Sequence, residues 1–184
     1  MKRRIWSPTL AWLAAVVAAL VLAVAAPSET LVMGQLPTPT AQRLDQQRVS
    51  LARGFAAERT LALVAFDRGH RGEIDSWIQG LRLNTDSSIA WFKMPVLNDP
   101  GTDLARSDIE RNLRARSTSG RDPSRLIPVF TNREAFIRAA GLSGTEHASV
   151  LVLDRDGKVL ARAEGLFDEQ KADALRETLL AQGD

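Results

Sequence analysis

The stretch from Leu61 to Leu81 changes from the pattern of a β-strand to that of an α-helix over about eight residues. Residues 61–66 are a mainly apolar run of strand length. The apolar residues that follow recur at the i, i+3, i+4, i+7 spacing of one helix face, and they are Ile74, Trp77, Ile78 and Leu81. Ligands of α/β proteins bind at such junctions, because helix-start amides and loop side chains converge there. We therefore expect an α/β fold with its functional surface at this junction.

The remaining strand patterns extend this unit into a mixed sheet. A strand predicted over 89–94 and ended by Pro95 closes a βαβ crossover, so it should pair in parallel with the strand over 61–66. The other predicted strands, of which the first is a short edge strand, cover 48–51, 126–130, 149–153 and 158–163.

Helix-capping patterns place three further helices. A capping box that begins at Ser107 predicts a helix to Arg116, and a second one at Thr131 predicts a helix that Gly141 ends. Asp168 is expected to cap the last helix. The complete predicted order is ββαβαβαββα.

The first 25 residues have the pattern of a secretory signal peptide. Three basic residues precede an Ala/Leu/Val-rich run, which ends in the cleavage-type sequence Ala23-Val24-Ala25. We expect export to the periplasm or another extracytoplasmic compartment; the alternative is an uncleaved membrane anchor. Residues 26–47 are predicted to be a linker or extended lead-in, and residues 48–184 the folded domain.

Charge and cysteine content exclude several classes of function. The predicted leader contains three Lys/Arg and no acid, so the rest of the chain has 21 basic residues against 22 acidic ones. A near-neutral chain gives no reason to expect a nucleic-acid partner. The chain has no cysteine, which excludes thiol–disulfide and thiol-peroxidase chemistry.

The predicted order of elements resembles the thioredoxin fold in its peroxiredoxin-like arrangement, a three-layer α/β/α sandwich around a mixed four- to five-stranded sheet. Several short motifs are similar to a narrower group, the bacterial relatives of the mitochondrial ATP synthase assembly factor ten family. They are Asp75-Ser76-Trp77, Met94-Pro95-Val96-Leu97, the arginines of 111–116, Val129-Phe130-Thr131 with Phe136, and Leu153-Asp154-Arg155-Asp156-Gly157 followed by Glu164-Gly165. This resemblance implies an assembly or chaperone-type factor for a membrane protein complex.

The chain departs from the redox members of this superfamily at two positions. They carry CxxC at the start of the first helix, where this chain has Gly69-His70-Arg71-Gly72. They carry a cis-proline before the fourth strand, where this chain has Glu146-His147-Ala148-Ser149. The resemblance therefore implies a scaffold without thiol chemistry that binds a protein partner at or near the membrane and needs no cofactor.

Two groups of charged residues are candidate partner-binding sites. The first lies in the junction loop and consists of Asp67, Arg68, His70, Arg71 and Glu73. The second consists of Arg111, Arg114 and Arg116. These arginines belong to a segment from Arg106 to Arg138 that has an excess of basic residues and is expected to make weak contact with an anionic surface. A solvated loop and a solvated helix face are the alternative interpretations.

The same residues give little support to catalysis or to metal binding. Asp67 could orient His70 as a general base, but no nucleophile has a supporting spacing, so we predict no catalytic residue. His70 and His147 are the only histidines and neither lies in a close ligand motif, so we predict no metal site. Two alternatives remain: a degenerate peroxiredoxin-like enzyme with a non-thiol activity, and a small-ligand or lipid carrier that uses the mouth of the junction loop.

Overall fold

The computed structural model describes residues 33–37, 40–42, 48–50, 57–117 and 123–181. The predicted signal peptide and most of the predicted lead-in lie outside the described residues. Within the described residues, no helix combines the length and the apolar character needed to cross a membrane.

Strands and helices alternate through most of the described chain. The strands are β1 (Gly34–Gln35), β2 (Thr40–Gln42), β3 (Arg48–Ser50), β4 (Arg59–Ala65), β5 (Trp91–Leu97), β6 (Val129–Phe130), β7 (Ser149–Asp154) and β8 (Lys158–Glu164). The helices are α1 (Arg71–Gly80), α2 (Asp103–Ser117), α3 (Arg133–Ala140) and α4 (Glu169–Leu180), with a 3-10 turn at Pro123–Arg125.

Six of the strands form one mixed sheet in the order β1-β8-β7-β4-β5-β6. β4 pairs in parallel with β5, as the crossover predicted, and antiparallel with β7. The predicted count of four to five strands was wrong, because β1 from the predicted lead-in pairs with β8. The strand predicted over 48–51 is not at the edge of this sheet, since β3 pairs only with β2 in a separate two-stranded sheet.

Helices cover both faces of the six-stranded sheet, which gives the three layers that the sequence predicted. Leu61 and Leu63 of β4 face α1 and α4, whereas Ala62 and Val64 face α3. All four side chains are fully buried, because β4 lies inside the sheet with a helix layer on each side. The apolar run that begins at Leu61 is therefore the centre of the core.

Pro95 does not end β5 as predicted, since the strand continues to Leu97. The carbonyls of Lys93 and Leu97 accept hydrogen bonds from the N–H groups of Ile127 and Thr131, both at 2.9 Å. In a parallel strand alternate residues point their backbone groups to the same neighbour, so Pro95 faces the β6 side. Its missing N–H therefore removes nothing from the ladder between β5 and β4.

The helix caps agree with the sequence in two of four cases. The capping box predicted at Thr131 was wrong by one residue, because Asn132 caps α3 by accepting a hydrogen bond from the N–H of Ala135 at 2.8 Å. Asp168 caps α4 by accepting a hydrogen bond from the N–H of Lys171 at 3.1 Å, and Gly141 ends α3 in the left-handed region with φ 69°. The predicted start of α2 at Ser107 was wrong. This helix begins at Asp103, because the hydroxyl oxygen of Thr102 accepts a hydrogen bond from the N–H of Ala105, the third residue of the helix, at 3.3 Å.

Helix α1 ends in a Schellman motif that has arginine at the left-handed position. The N–H of Leu83 donates to the carbonyl of Ile78 at 3.0 Å, and the N–H of Arg82 donates to that of Gln79 at 3.1 Å. Arg82 has φ 53°, and it is the only non-glycine residue with positive φ in the described part of the chain. A side chain with Cβ is strained in this region, where glycine is usual.

We predict that Arg82→Gly stabilises the fold. Removing the Cβ relieves the left-handed strain and should raise the free energy of unfolding by about 1 kcal/mol, less the entropy that glycine adds to the unfolded chain. Urea denaturation measures the change. Asn84→Gly, at an exposed turn position without positive φ, is the matched control and should be neutral or destabilising. Equal effects of the two substitutions would contradict the prediction.

Candidate functional site

Three loops meet at one edge of the sheet. β7 runs antiparallel to both β4 and β8, so the ends of β4 and β8 lie beside the start of β7. We use the name loop face for the segments 66–70, 143–148 and 165–168 that meet there. The loop face overlaps both segments, 69–72 and 146–149, at which the sequence departs from redox thioredoxins.

One stripe of helix α1 holds the other two loops in place. Glu73, Ser76, Trp77 and Gly80 recur at the i, i+3, i+4, i+7 spacing and share a helix face. Glu73 reaches the segment before β7, and the other three residues of the stripe contact the segment after β8. The position of both loops therefore depends on side chains of α1.

Glu73 binds the loop before β7 through both of its carboxylate oxygens. Oε1 lies 2.9 Å from Nδ1 of His147, and Oε2 accepts a hydrogen bond from the N–H of Ala148 at 2.6 Å. The Glu73 side chain is only 18% exposed. Burial acts to raise its pKa, but the hydrogen bonds from His147 and Ala148, and the attraction of His147 and His70, outweigh burial and hold the pKa below its ordinary value.

Trp77 and its neighbours bind the loop after β8. The Trp77 indole is fully buried, and its N–H donates to the carbonyl of Gly165 at 2.9 Å. The Ser76 hydroxyl accepts a hydrogen bond from the N–H of Phe167 at 3.0 Å, and the Phe167 ring packs edge-on against Trp77. The ring also fills the space beside Gly80 where a Cβ would lie. The loop is thus fixed from its first residue to its last.

The predicted pair of Asp67 and His70 exists, but its geometry does not suit a general base. His70 is 4% exposed and its Nδ1 accepts a hydrogen bond from the N–H of Phe66 at 3.2 Å. Nδ1 therefore carries no hydrogen, and the ring proton lies on Nε2, which is 3.7 Å from the Asp67 carboxylate. The hydrogen bond to Nδ1 anchors the start of α1 to the residue that follows β4.

The two predicted arginines of the junction differ from His70 in their exposure. Arg68 and Arg71 are both exposed, and Arg71 is close to Asp75 in an ion pair of 3.5 Å. Asp67 is exposed as well and accepts a hydrogen bond from the N–H of Gly69 at 2.6 Å. These three predicted residues therefore form an accessible charged rim, whereas His70 and Glu73 lie beneath it.

The second predicted group is not part of the loop face. Arg111 is paired with Asp108 on α2 at 2.8 Å, and Nε of Arg114 is buried without a hydrogen-bond partner. The side chain of Arg116 lies outside the described residues. The contacts of the described residues join neither Arg111 nor Arg114 to the junction loop, so the structure does not bring the two predicted groups together. Arg106, at the start of the basic segment, is already paired with two carboxylates on its own side of the helix.

Two exposed residues of the loop face were missed as site residues by sequence reasoning. The His147 side chain is 62% exposed and lies beside Gly165, whose missing Cβ would be 3.9 Å from the ring. Leu166 is 63% exposed, although it is flanked by fixed residues on both sides. The position of His147 at the cis-proline site was a usable signal. Leu166 has no sequence signal, since a single apolar residue in a loop is common.

Within the described residues, no group of three or more histidines, aspartates or glutamates is arranged to hold a metal ion. This region contains two pairs of a histidine and a carboxylate. Asp67 and His70 are 3.7 Å apart, and Glu73 and His147 are 2.9 Å apart. The arrangement can present a fixed surface with an exposed imidazole, an exposed apolar side chain and a charged rim.

Comparisons with solved structures confirm the thioredoxin-like fold. The chain is similar to an Aquifex aeolicus VF5 protein assigned to electron transfer, with 12% identity over 83% of this chain and 99% of that one, and a TM-score of 0.54. It is also similar to BsSco, a member of the Sco family of cytochrome c oxidase assembly proteins, with 16% identity over 80% of this chain and 95% of that one, and a TM-score of 0.51.

No protein-family model and no curated protein matches the chain. Identities this low show the fold alone. The fold is therefore thioredoxin-like, and the narrower resemblance to the ATP synthase assembly factor family finds no support in these comparisons.

We predict that Glu73→Gln destabilises the fold in a pH-dependent way. Because the folded pKa of Glu73 is lowered, its ionised form contributes stability above its ordinary pKa, and this contribution is lost as the pH falls through the folded pKa. The variant should lose about 1–3 kcal/mol at neutral pH, the usual value for a charged hydrogen bond. The difference from the unaltered protein should shrink towards zero in acid.

Urea denaturation at about pH 7 and about pH 3 measures this difference, since the two values bracket the titration of a carboxylate. Glu177→Gln is the matched control, because Glu177 is an exposed carboxylate of α4 without a described ion pair. A deficit of Glu73→Gln that stayed the same at both pH values would show that Glu73 does not act through its charge.

Proposed function

We propose that this chain is an exported, non-redox thioredoxin-like protein that binds a protein partner at or near the membrane and acts as an assembly or chaperone-type factor. The observation that carries the proposal is the loop face itself. Its loops are fixed by Glu73, Ser76 and Trp77, yet the residues that it exposes have no reactive thiol among them.

The exposed residues have the composition of a surface that recognises protein. Leu166 offers an exposed apolar side chain, and His147, which lies beside the preceding residue Gly165, offers an aromatic ring with a polar edge. Arg68 and Arg71 add exposed positive charge. Protein interfaces usually combine apolar, aromatic and arginine side chains in this way.

The fixed geometry also favours binding over catalysis. An interface whose loops are held before the partner arrives loses little conformational entropy on binding. The pair that the sequence offered as a general base does not supply an accessible one, because His70 is buried and its Nδ1 accepts a hydrogen bond from the N–H of Phe66. BsSco, which has the same fold, belongs to a family of assembly proteins, and this supports an assembly role on the same scaffold.

Site-specific crosslinking in the native host tests the proposal. A photo-crosslinking amino acid at position 166 should capture a reproducible partner that belongs to a membrane complex. Leu180 is the matched control, because it is also an exposed leucine, 78% against 63%, and lies at the end of α4 beside the start of β4. Crosslinks at Leu180 should not include the same partner.

A second experiment removes the exposed apolar side chain of the loop face but keeps the fold. Leu166→Ser changes only an exposed side chain, so it should leave the free energy of unfolding unchanged within about 0.5 kcal/mol and reduce capture from a crosslinker at position 68. Capture of the same abundant proteins from both positions 166 and 180 would refute the loop face as a recognition surface. Turnover of any substrate that His70→Ala abolished would refute the non-catalytic proposal.

A further inference from the structure

A cleft of about 510 Å³ lies at the C-terminal end of α1. It is lined by the last residue of α1, by residues of the segment that leads to β5, and by one side of α4. This volume falls in the range of roughly 300–1,000 Å³ that is typical of small-molecule sites. None of its lining residues belongs to the loop face, so the cleft is a separate feature of the molecule.

One wall of the cleft is apolar. Ile89 and Leu179 line it and also pack against the core beneath α1 and α4. Leu180 lines it as well and is 78% exposed, which is high for a leucine at the end of a helix that packs on the sheet. The wall therefore continues the core outward to the surface and could accept a hydrocarbon chain.

The charged side chains of the cleft fall into two kinds. Glu169 and Arg176 are paired with each other at 2.6 Å, so their charges are already matched. Arg82 and Asp86 are both exposed, and neither forms an ion pair in the described part of the chain, with each other or with a third residue. The cleft therefore presents one unmatched positive and one unmatched negative charge on the same turn.

Asp86 keeps one oxygen available for a ligand. Its Oδ1 accepts hydrogen bonds from both the N–H and the hydroxyl of Ser88, at 2.8 and 2.6 Å, whereas Oδ2 has no described partner. The hydrogen bond from the Ser88 hydroxyl has the largest effect on the pKa of Asp86. Together with the bond from the N–H, it holds this pKa below its ordinary value. The carboxylate is therefore ionised at neutral pH and its position is fixed by the turn.

The backbone of Arg82 is set by the end of α1 and not by a contact of its side chain. The Schellman motif at the end of α1 requires a left-handed residue at this position, and a residue with a Cβ is strained there. At φ 53°, Arg82 accepts this strain without a described contact for its guanidinium in the folded chain. Its side chain is thus available for an anionic group that enters the cleft.

We propose that the cleft binds an amphiphile with a zwitterionic headgroup. The anionic part of the headgroup would bind the guanidinium of Arg82, the cationic part would bind Asp86, and the hydrocarbon chain would lie along Ile89, Leu179 and Leu180. A purely anionic or cationic amphiphile matches only one of the two unpaired charges and is repelled by the other. The shared chemistry covers a zwitterionic lipid and a soluble single-chain amphiphile.

Three probes that share a twelve-carbon hydrocarbon tail test the proposal on the full-length protein. Each probe is used below its critical micelle concentration. Dodecylphosphocholine is zwitterionic, dodecanoate is anionic and dodecyltrimethylammonium is cationic. Backbone amide shifts in NMR titrations locate each probe and give its affinity. Dodecylphosphocholine should bind most tightly and shift the amides of 80–89 and 179–180. Free phosphocholine should bind at least about tenfold more weakly, because it lacks the buried chain.

Two conservative substitutions should change the preference in opposite directions. Arg82→Asn keeps a residue that tolerates the left-handed conformation, and Asp86→Asn keeps an oxygen for the Ser88 hydrogen bonds, so both variants should fold. Each should weaken dodecylphosphocholine about tenfold, the loss expected for one charge-assisted contact. Arg82→Asn should then prefer the cationic probe, and Asp86→Asn the anionic one.

Arg155→Asn, at an exposed arginine of the β7–β8 turn, is the control and should leave all three affinities unchanged. Equal affinities for the three probes would overturn the proposal, because they would show an apolar groove without headgroup recognition. Amide shifts that lay outside the cleft, or a preference that neither Arg82→Asn nor Asp86→Asn altered, would overturn it as well. Vesicles of zwitterionic lipid that sediment the protein would identify the membrane as the source of the ligand; a soluble complex with dodecylphosphocholine alone would identify a free amphiphile.

Discussion

The hydrogen bond from the Trp77 indole to the carbonyl of Gly165 joins the two halves of this fold. Trp77 is fully buried, so its N–H has no access to water, and leaving it without an acceptor would cost about 1–3 kcal/mol. The acceptor exists only because Gly165, at φ 81°, turns the chain back over α1 at the end of β8. This bond thus stabilises the contact between the βαβ unit and the C-terminal ββα unit, in addition to the ladder between β4 and β7.

The sequence predicted best the elements whose side chains repeat. Trp77 and Ile78 were placed on the buried face of α1 because helical spacing selects that face, and Asp168 was identified as a cap because its chemistry is local. Two-residue strands cannot show a period, so β1 was missed, although Leu36 beside it is 1% exposed. The left-handed Arg82 was missed because its motif normally contains glycine.

The candidate site was predicted in place but not in arrangement. The junction after β4 was identified correctly as a meeting point, since the topology of an α/β sheet determines where loops converge. The roles of its residues depend on partners far along the chain, as His147 lies 74 positions from Glu73. No local pattern encodes such a contact. His70 was predicted to be available for binding. Its ring is instead buried, and its Nδ1 accepts a hydrogen bond from the N–H of Phe66, next to the end of β4.

Helix α1 has a different physical role at each of its ends. Its stripe of Glu73, Ser76, Trp77 and Gly80 fixes the helix against two loops, so the helix cannot slide or rotate without breaking several hydrogen bonds at once. The C-terminal turn is therefore held where the rest of the helix places it, and the strain at Arg82 cannot relax by a shift of the helix. The bonds that order the loop face therefore also hold the backbone of Arg82 beside the cleft, so the two surfaces share one rigid helix without sharing a residue.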